Sequence, residues 1–219
     1  MTELDEYRAS FIPAYDLVVA RLRGPLKYAV TGRPAKSTTA LVDKLNRQHV
    51  RLSQVQDIAG CRIVVEDIVL QDQAVRALDV FIDNPKVYDR RKTSSNGYRA
   101  VHLVADIEGR KVEVQVRTKF QHLWAEISEK VSDTMGPDLK YGVGDPEALS
   151  FLNNLSVAIL KVEQEEVARD QVQRQIKSAV HIPGKIKREL RVIEKRFFAR
   201  RSQLVQLLSD VHNDFSKAA

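Results

Sequence analysis

The segment VEVQVRT (112–118) alternates apolar and polar side chains through seven consecutive positions. Successive side chains of a strand point to opposite faces. Val112, Val114 and Val116 therefore share one face, and Glu113, Gln115 and Arg117 share the other. Wound into a helix, the same order would scatter valines and polar groups around the whole circumference and leave no face to bury. The valines need a cover. The polar row needs water, a partner or a ligand, because burying such groups unpaired costs roughly 2–7 kcal/mol each. An ordinary half-exposed strand of an antiparallel sheet satisfies the pattern as well as a ligand site does. Residues 98–107 also read as a strand and connect to this one through Glu108-Gly109-Arg110, a hairpin signal.

Helical spacing surrounds this hairpin. Leu4, Tyr7, Phe11, Tyr15, Val18, Val19 and Leu22 predict one amphipathic helix over 4–23. A second helix is predicted over 37–49, with Ser37 or Thr38 at its cap. Residues 60–65 read as a strand, and residues 70–82 as a helix stopped by Asp83-Asn84-Pro85. Residues 120–134 return to helix, and 136–145 form a loop. Asp145 then caps a long helix with Pro146 in its first turn, and a last helix follows Pro183-Gly184. This order predicts an α+β chain: a mixed β-sheet flanked by helices over residues 1–140, then a C-terminal helical extension over 145–219. That extension is long enough to cover the first domain or to join two copies in a homo-oligomer.

Apolar residues make up 43% of the chain, enough for a core, and no apolar run approaches the roughly 20 residues that span a bilayer. The acidic, mixed start MTELDEYRAS does not read as a secretory signal, and the single cysteine, Cys61, excludes an internal disulfide framework and a four-thiolate zinc site. A cytoplasmic location, without membrane attachment, is the expectation. The net charge of +6 equals the surplus carried by residues 185–201 alone, where Lys185, Lys187, Arg188, Arg191, Lys195, Arg196, Arg200 and Arg201 face only Glu189 and Glu194. Such a stretch is either a solvated helix face or a contact for a phosphate-rich partner.

Four further segments carry candidate chemistry. Asp57 stands just before the strand at 60–65, where Gly60 permits close approach and Arg62 follows. An acid there and a glutamate on a neighbouring strand would make a two-carboxylate magnesium site; a plain turn-forming Asp57 is the alternative. In TGRPAKS (31–37), Arg33 and Lys36 precede a helix N-terminus, a place that suits phosphate. It is not a P-loop: the glycines are missing, and no strand is predicted before it. Arg90, Arg91 and Lys92 precede a Ser/Asn/Gly turn, and Tyr98 then opens the hairpin strand, suited to stacking on a base or to core packing. In QHLWAEISE (121–129), His122 and Glu126 share one helix face, and Trp124 reads as core.

Taken in order, TGRPAKS followed by Lys44 (31–44), DIAGCRIV (57–64), NGYRAVH (96–102), VEVQVRT (112–118) and QHLWAE (121–126) resemble the synthetase domain of RelA/SpoT-type proteins. Overall the chain resembles the small alarmone synthetases, including their toxin-like branch. The resemblance implies a nucleotidyltransferase-like fold and Mg²⁺-dependent transfer of the β,γ-diphosphate of ATP to the 3′-hydroxyl of GDP or GTP. It assigns magnesium and catalysis to Asp57 and Glu113, with Glu113 also the base. ATP falls to Arg33, Lys36, Lys44, Arg62, Arg90 and Arg91, and the acceptor to Tyr98, Gln115 and His122. His122 and the Ile127-Ser-Glu-Lys130 run depart from the family's usual residues near the acceptor. Transfer to the tRNA 3′ end (aided by the basic 185–201 stretch) or to adenine nucleotides therefore stands beside guanine nucleotides. A degenerate RNA-binding module is the non-enzymatic alternative. None of the five histidines is followed by Asp, so the family's hydrolase activity is not expected.

Overall fold

The computed structural model describes residues 3–92, 94, 96–179 and 183–218; His181 lies outside them. The chain divides into two compact units. The first comprises Met1–Val65, Asp72–Arg90 and Ala100–Arg117, and the second Glu66–Gln71, Arg91–Arg99 and Thr118–Ala219.

The first unit is built on a mixed five-stranded sheet of β1 (Val30–Arg33), β2 (Ala59–Val65), β3 (Lys86–Asp89), β4 (Val101–Ile107) and β5 (Arg110–Thr118). The spatial order is β1-β2-β5-β4-β3. β4 and β5 form the expected antiparallel hairpin, with Ile107 opposite Arg110 and Leu103 opposite Val114. The valine face is the covered one. Val112, Val114 and Val116 are buried with Ile63 and Leu103 against Val18 and Leu22 of α2 (Ile12–Arg23), Leu41 of α3 (Thr38–Gln48) and Leu78 of α4 (Ile68–Phe81). Each fully buried aliphatic side chain contributes roughly 1.5–3 kcal/mol. Cys61 sits in the same core, 3% exposed. Burial first, then the charge of Glu113, pushes its thiol up to about 12.

Three local expectations are corrected. The helix predicted over 4–23 is two helices, α1 (Glu3–Ala9) and α2. Pro13 is the cause: it lacks an N–H, and within one continuous helix its ring would meet the Ala9 carbonyl. The chain restarts instead, with proline in the first turn of α2 and Phe11 packed edge-on against Tyr7. Second, a strand does precede Lys36: β1 carries Arg33 and pairs with β2. It was hidden because only Val30 of its four residues is buried. Gly32 lies opposite Cys61, and a Cβ there would stand 2.5 Å from the Gly60 carbonyl, so only glycine lets β1 approach. Third, Tyr98 is not on the hairpin strand, which starts at Val101. Edge strand β3, with Val87 45% and Tyr88 40% exposed, was also not anticipated.

The second unit packs α5 (Lys119–Met135), α6 (Pro146–Ser178) and α7 (Gly184–Ala218) around one core. Phe120, Trp124 and Ile127 meet Leu152, Leu155 and Ile159 of α6, and Leu204 and Leu208 of α7. The Trp124 indole donates to the Leu152 carbonyl at 2.8 Å, so this tryptophan is core. Asp145 caps α6 as expected, accepting from the Ala148 N–H. Thr118 and Gln121 form a reciprocal capping box at the start of α5. No described helix is long and apolar enough to cross a membrane.

Candidate active site

The face of the sheet opposite the valines gathers the polar residues. Strand register places His102 opposite Gln115, Tyr88 opposite His102, Arg33 opposite Gly60 and Thr31 opposite Arg62. A Cβ built on Gly60 would lie 3.8 Å from the Glu113 Cβ and 3.3 Å from its carbonyl oxygen. Gly60 therefore keeps the space beside Glu113 clear, and Arg33, Arg62, Glu113, Gln115 and His102 share one face.

Glu113 is held on both oxygens. His102 Nδ1 lies 2.9 Å from Oε1, and Gln115 Nε2 donates to Oε2 at 2.8 Å. Gln115 is oriented in turn by Arg117, whose Nη2 donates to its Oε1 at 2.9 Å. Burial pushes the Glu113 carboxyl up, but the hydrogen bonds and charge from His102 and Gln115 leave it below the ordinary glutamate value. The charge of Asp57 opposes that lowering, so the two carboxylates act on each other.

Asp57 stands two residues before β2. Lys36 pairs with its Oδ2 and Lys44, from α3, with its Oδ1. The backbone holds this arrangement: Lys36 N–H donates to the Ile58 carbonyl at 2.8 Å, and Arg8 Nε donates to the Lys36 carbonyl at 2.6 Å. Burial raises the Asp57 carboxyl, yet the two lysine hydrogen bonds outweigh it and hold the group below its ordinary value. Burial likewise lowers the Lys36 ammonium, against the pull of Asp57. At neutral pH both carboxylates are ionised, each against its own polar partners.

A family model described as a region found in RelA / SpoT proteins matches residues 32–132. Residues 32–132 are therefore similar to that region. An uncharacterised protein of Mycobacterium tuberculosis is 36% identical over 131 residues, covering 58% of this chain and 47% of that protein. The chain thus spans about half the length of the first curated relatives it matches. The GTP pyrophosphokinase YjbM of Bacillus subtilis is 29% identical over 157 residues, covering 64% of this chain and 70% of that enzyme. The fold is that of the small alarmone synthetase 1 of B. subtilis, solved with its product pppGpp: TM-score 0.60, 22% identity, 78% of this chain and 98% of that one.

The RelA/SpoT match contains every candidate site residue. The first unit holds Arg33, Lys36, Lys44, Asp57, Arg62, Arg90, Glu113 and Gln115. Arg90 is tied to it by its N–H, which donates to the Ala100 carbonyl at 3.0 Å. The second unit holds Arg91, Tyr98 and His122. Arg91 Nη1 donates to Gln71 Oε1 at 3.2 Å. The half-buried Tyr98 ring lies 6.4 Å from that of Trp124, and His122 faces Glu126 at 3.4 Å along α5. Thr93 and Ser95 lie outside the described residues.

His102 is the residue that sequence reasoning missed. It lies at the end of NGYRAVH, where the sequence alone suggests no role for it. The signal was present: once Ile107 faces Arg110 across the hairpin, counting back puts His102 opposite Gln115, on the Glu113 face.

Proposed function

We propose that this chain is a Mg²⁺-dependent nucleotide 3′-pyrophosphokinase, transferring the β,γ-diphosphate of ATP to the 3′-hydroxyl of GDP or GTP with release of AMP. The observation that carries this is the pair of ionised carboxylates, Asp57 and Glu113, close enough for the charge of Asp57 to act on Glu113, with Gly60 keeping a side chain out of the space beside Glu113. Similarity to the GTP pyrophosphokinase YjbM of B. subtilis supports it.

Asp57 and Glu113 would hold the magnesium. Mg²⁺ usually takes one or two carboxylates and completes its shell with water and substrate phosphates. A two-acid set therefore fits, although no group of three His, Cys, Asp or Glu suited to a metal occurs among the described residues. The ion, when bound, supplies charge neutralisation between two polyphosphates. The chain's residues do the rest. Lys36 and Lys44 already touch one carboxylate and stand ready for ATP phosphates, with Arg33 and Arg62 on the same face and Arg90 and Arg91 as further phosphate cations. Glu113, fixed by His102 and Gln115, accepts the 3′-hydroxyl proton. The 3′-oxygen bonds to the β-phosphorus, the bond from that phosphorus to the α–β bridging oxygen breaks, and AMP leaves with the electron pair. Such transfers depend on positioning and charge more than on covalent help.

One observation favours a tRNA acceptor as the alternative. Lys185, Lys187, Arg188, Arg191, Lys195 and Arg196 are all exposed along α7. Arg200 and Arg201 are not part of that row, because they pair with Glu165, Glu66 and Glu166. The test is incubation with labelled ATP and Mg²⁺ plus GDP, GTP, ATP or bulk tRNA in turn. AMP formed with GDP or GTP supports the proposal, AMP with tRNA alone transfers it to the alternative, and no AMP with any acceptor rejects enzymatic transfer.

A further inference from the structure

The second unit contains a buried polar chain that the proposed mechanism does not use. Glu163 of α6 is 3% exposed, Gln121 of α5 2%, and Gln71 is fully buried. Glu163 Oε1 accepts from Thr118 Oγ1 at 2.7 Å and from Gln121 Nε2 at 2.9 Å. Gln121 Oε1 in turn accepts from Gln71 Nε2 at 2.8 Å and from the Thr118 N–H at 3.3 Å. Gln71 Oε1 then accepts from Arg91 Nη1 at 3.2 Å. A second tie reaches Arg91 through its backbone, where Arg99 Nη1 donates to its carbonyl at 3.1 Å and Arg99 Nε donates to Ser156 Oγ of α6 at 3.0 Å.

The order of donors and acceptors along this chain is fixed from one end. Glu163 Oε1 accepts from both Thr118 and Gln121, so the Gln121 amide turns its NH₂ toward Glu163 even when the acid keeps a proton on its other oxygen. Its oxygen then accepts from the Gln71 NH₂, and the Gln71 oxygen, which also accepts from the Gln121 NH₂ at 3.3 Å, faces the guanidinium. Without the acceptor at 163, only the longer Thr118 N–H bond at 3.3 Å still orients the Gln121 amide; once both amides turn over, the Gln71 NH₂ meets the Arg91 N–H groups donor to donor. Buried amides have no water to repair such a mismatch, so the polarity set at one end is felt at the other.

We propose that Glu163 is a positioning residue for ATP: through Gln121 and Gln71 it sets where the Arg91 guanidinium stands. This rests on the role of Arg91 as a phosphate-holding cation under the proposed function. It assigns α6, the first helix of the C-terminal extension, a part in the binding of the donor nucleotide.

The test is a binding cycle on the whole chain, with Mg²⁺ and an ATP analogue carrying a methylene bridge between its α- and β-phosphates, which blocks transfer. Calorimetry compares wild type, Glu163→Ala, Glu163→Gln, Arg91→Ala and the Glu163→Ala/Arg91→Ala double variant. Glu163→Ala should weaken binding about tenfold, the scale of one hydrogen bond to a charged group. Glu163→Gln, which keeps the accepting oxygen, should bind like wild type, and the double variant should be no weaker than Arg91→Ala. Multiplicative losses in the double variant overturn the proposal, as does a Gln variant as weak as the Ala variant. Where Glu163→Ala does not fold, Gln71→Met removes the acceptor facing Arg91 at similar side-chain length and enters the same cycle. A wild-type chain that binds no analogue overturns the proposal together with the role of Arg91. Binding of the analogue without AMP formation from ATP overturns the transfer reaction alone.

Discussion

Glu163→Gln also makes a stability measurement decisive. Burial, and to a smaller extent the neighbouring Glu166 charge, raise the Glu163 carboxyl from 4.5 to about 7, despite the lowering contributions of Thr118, Gln121 and Arg99. An acid whose folded value is raised favours folding fully below its unfolded value and loses that contribution as pH climbs through the folded one. For Glu163 the window runs from 4.5 to about 7. At 1.36 kcal/mol per pH unit, the loss across it is about 3 kcal/mol. Glutamine keeps the accepting oxygen and has nothing to ionise. At about 2–4 °C per kcal/mol for a chain of this size, the midpoint difference between variant and wild type should grow by roughly 6–12 °C in favour of the variant. The assay is thermal unfolding of both proteins from pH 4.5 to 8.5, read by circular dichroism. Glu166, also raised chiefly by burial, titrates in both proteins and cancels in the difference. Two curves that stay parallel across the window would refute the buried, proton-retaining Glu163.

Other outcomes follow from the site and the sheet. Glu113→Gln should lower AMP formation by about 10²–10⁴ while the circular dichroism spectrum is unchanged, since a positioned base contributes on that scale; near-normal turnover would remove Glu113 from the mechanism. Gly32→Ala should cost roughly 1–3 kcal/mol in denaturant unfolding, because the new Cβ meets the Gly60 carbonyl and must push β1 off β2. Lys195→Glu with Arg196→Glu should weaken transfer to tRNA, if tRNA is an acceptor, and spare GDP; equal loss on both would argue against α7 as a tRNA contact.

What could be read in the sequence was what local rules determine. The alternation in VEVQVRT specified a strand and its buried face, and the valines occupy that face. Ser37 and Asp145 cap the helices they were expected to cap. Local rules fell short where a distant partner decides. Four residues with one buried side chain cannot announce β1; the neighbouring strand creates it. Pro13 was visible, but the apolar spacing on both sides of it suggested one helix. The convergence of Lys36 and Lys44 on Asp57 spans three chain segments, and no spacing encodes it. His102 was within reach through hairpin register. Glu163 was not: in Val162-Glu-Gln-Glu-Glu166 nothing in the residue types distinguishes Glu163 and Glu166, which go inside, from Glu165, which does not.

The lone cysteine offers a practical return. A thiol reacts as its thiolate, and with Cys61 pushed up to about 12 and sealed in the core, roughly one molecule in 10⁵ carries that form at neutral pH. The native chain should behave toward alkylating dyes as though it had no sulfhydryl at all. Probes can be installed at chosen surface positions without background, and any labelling of the unaltered protein becomes a clock for the opening of the sheet domain.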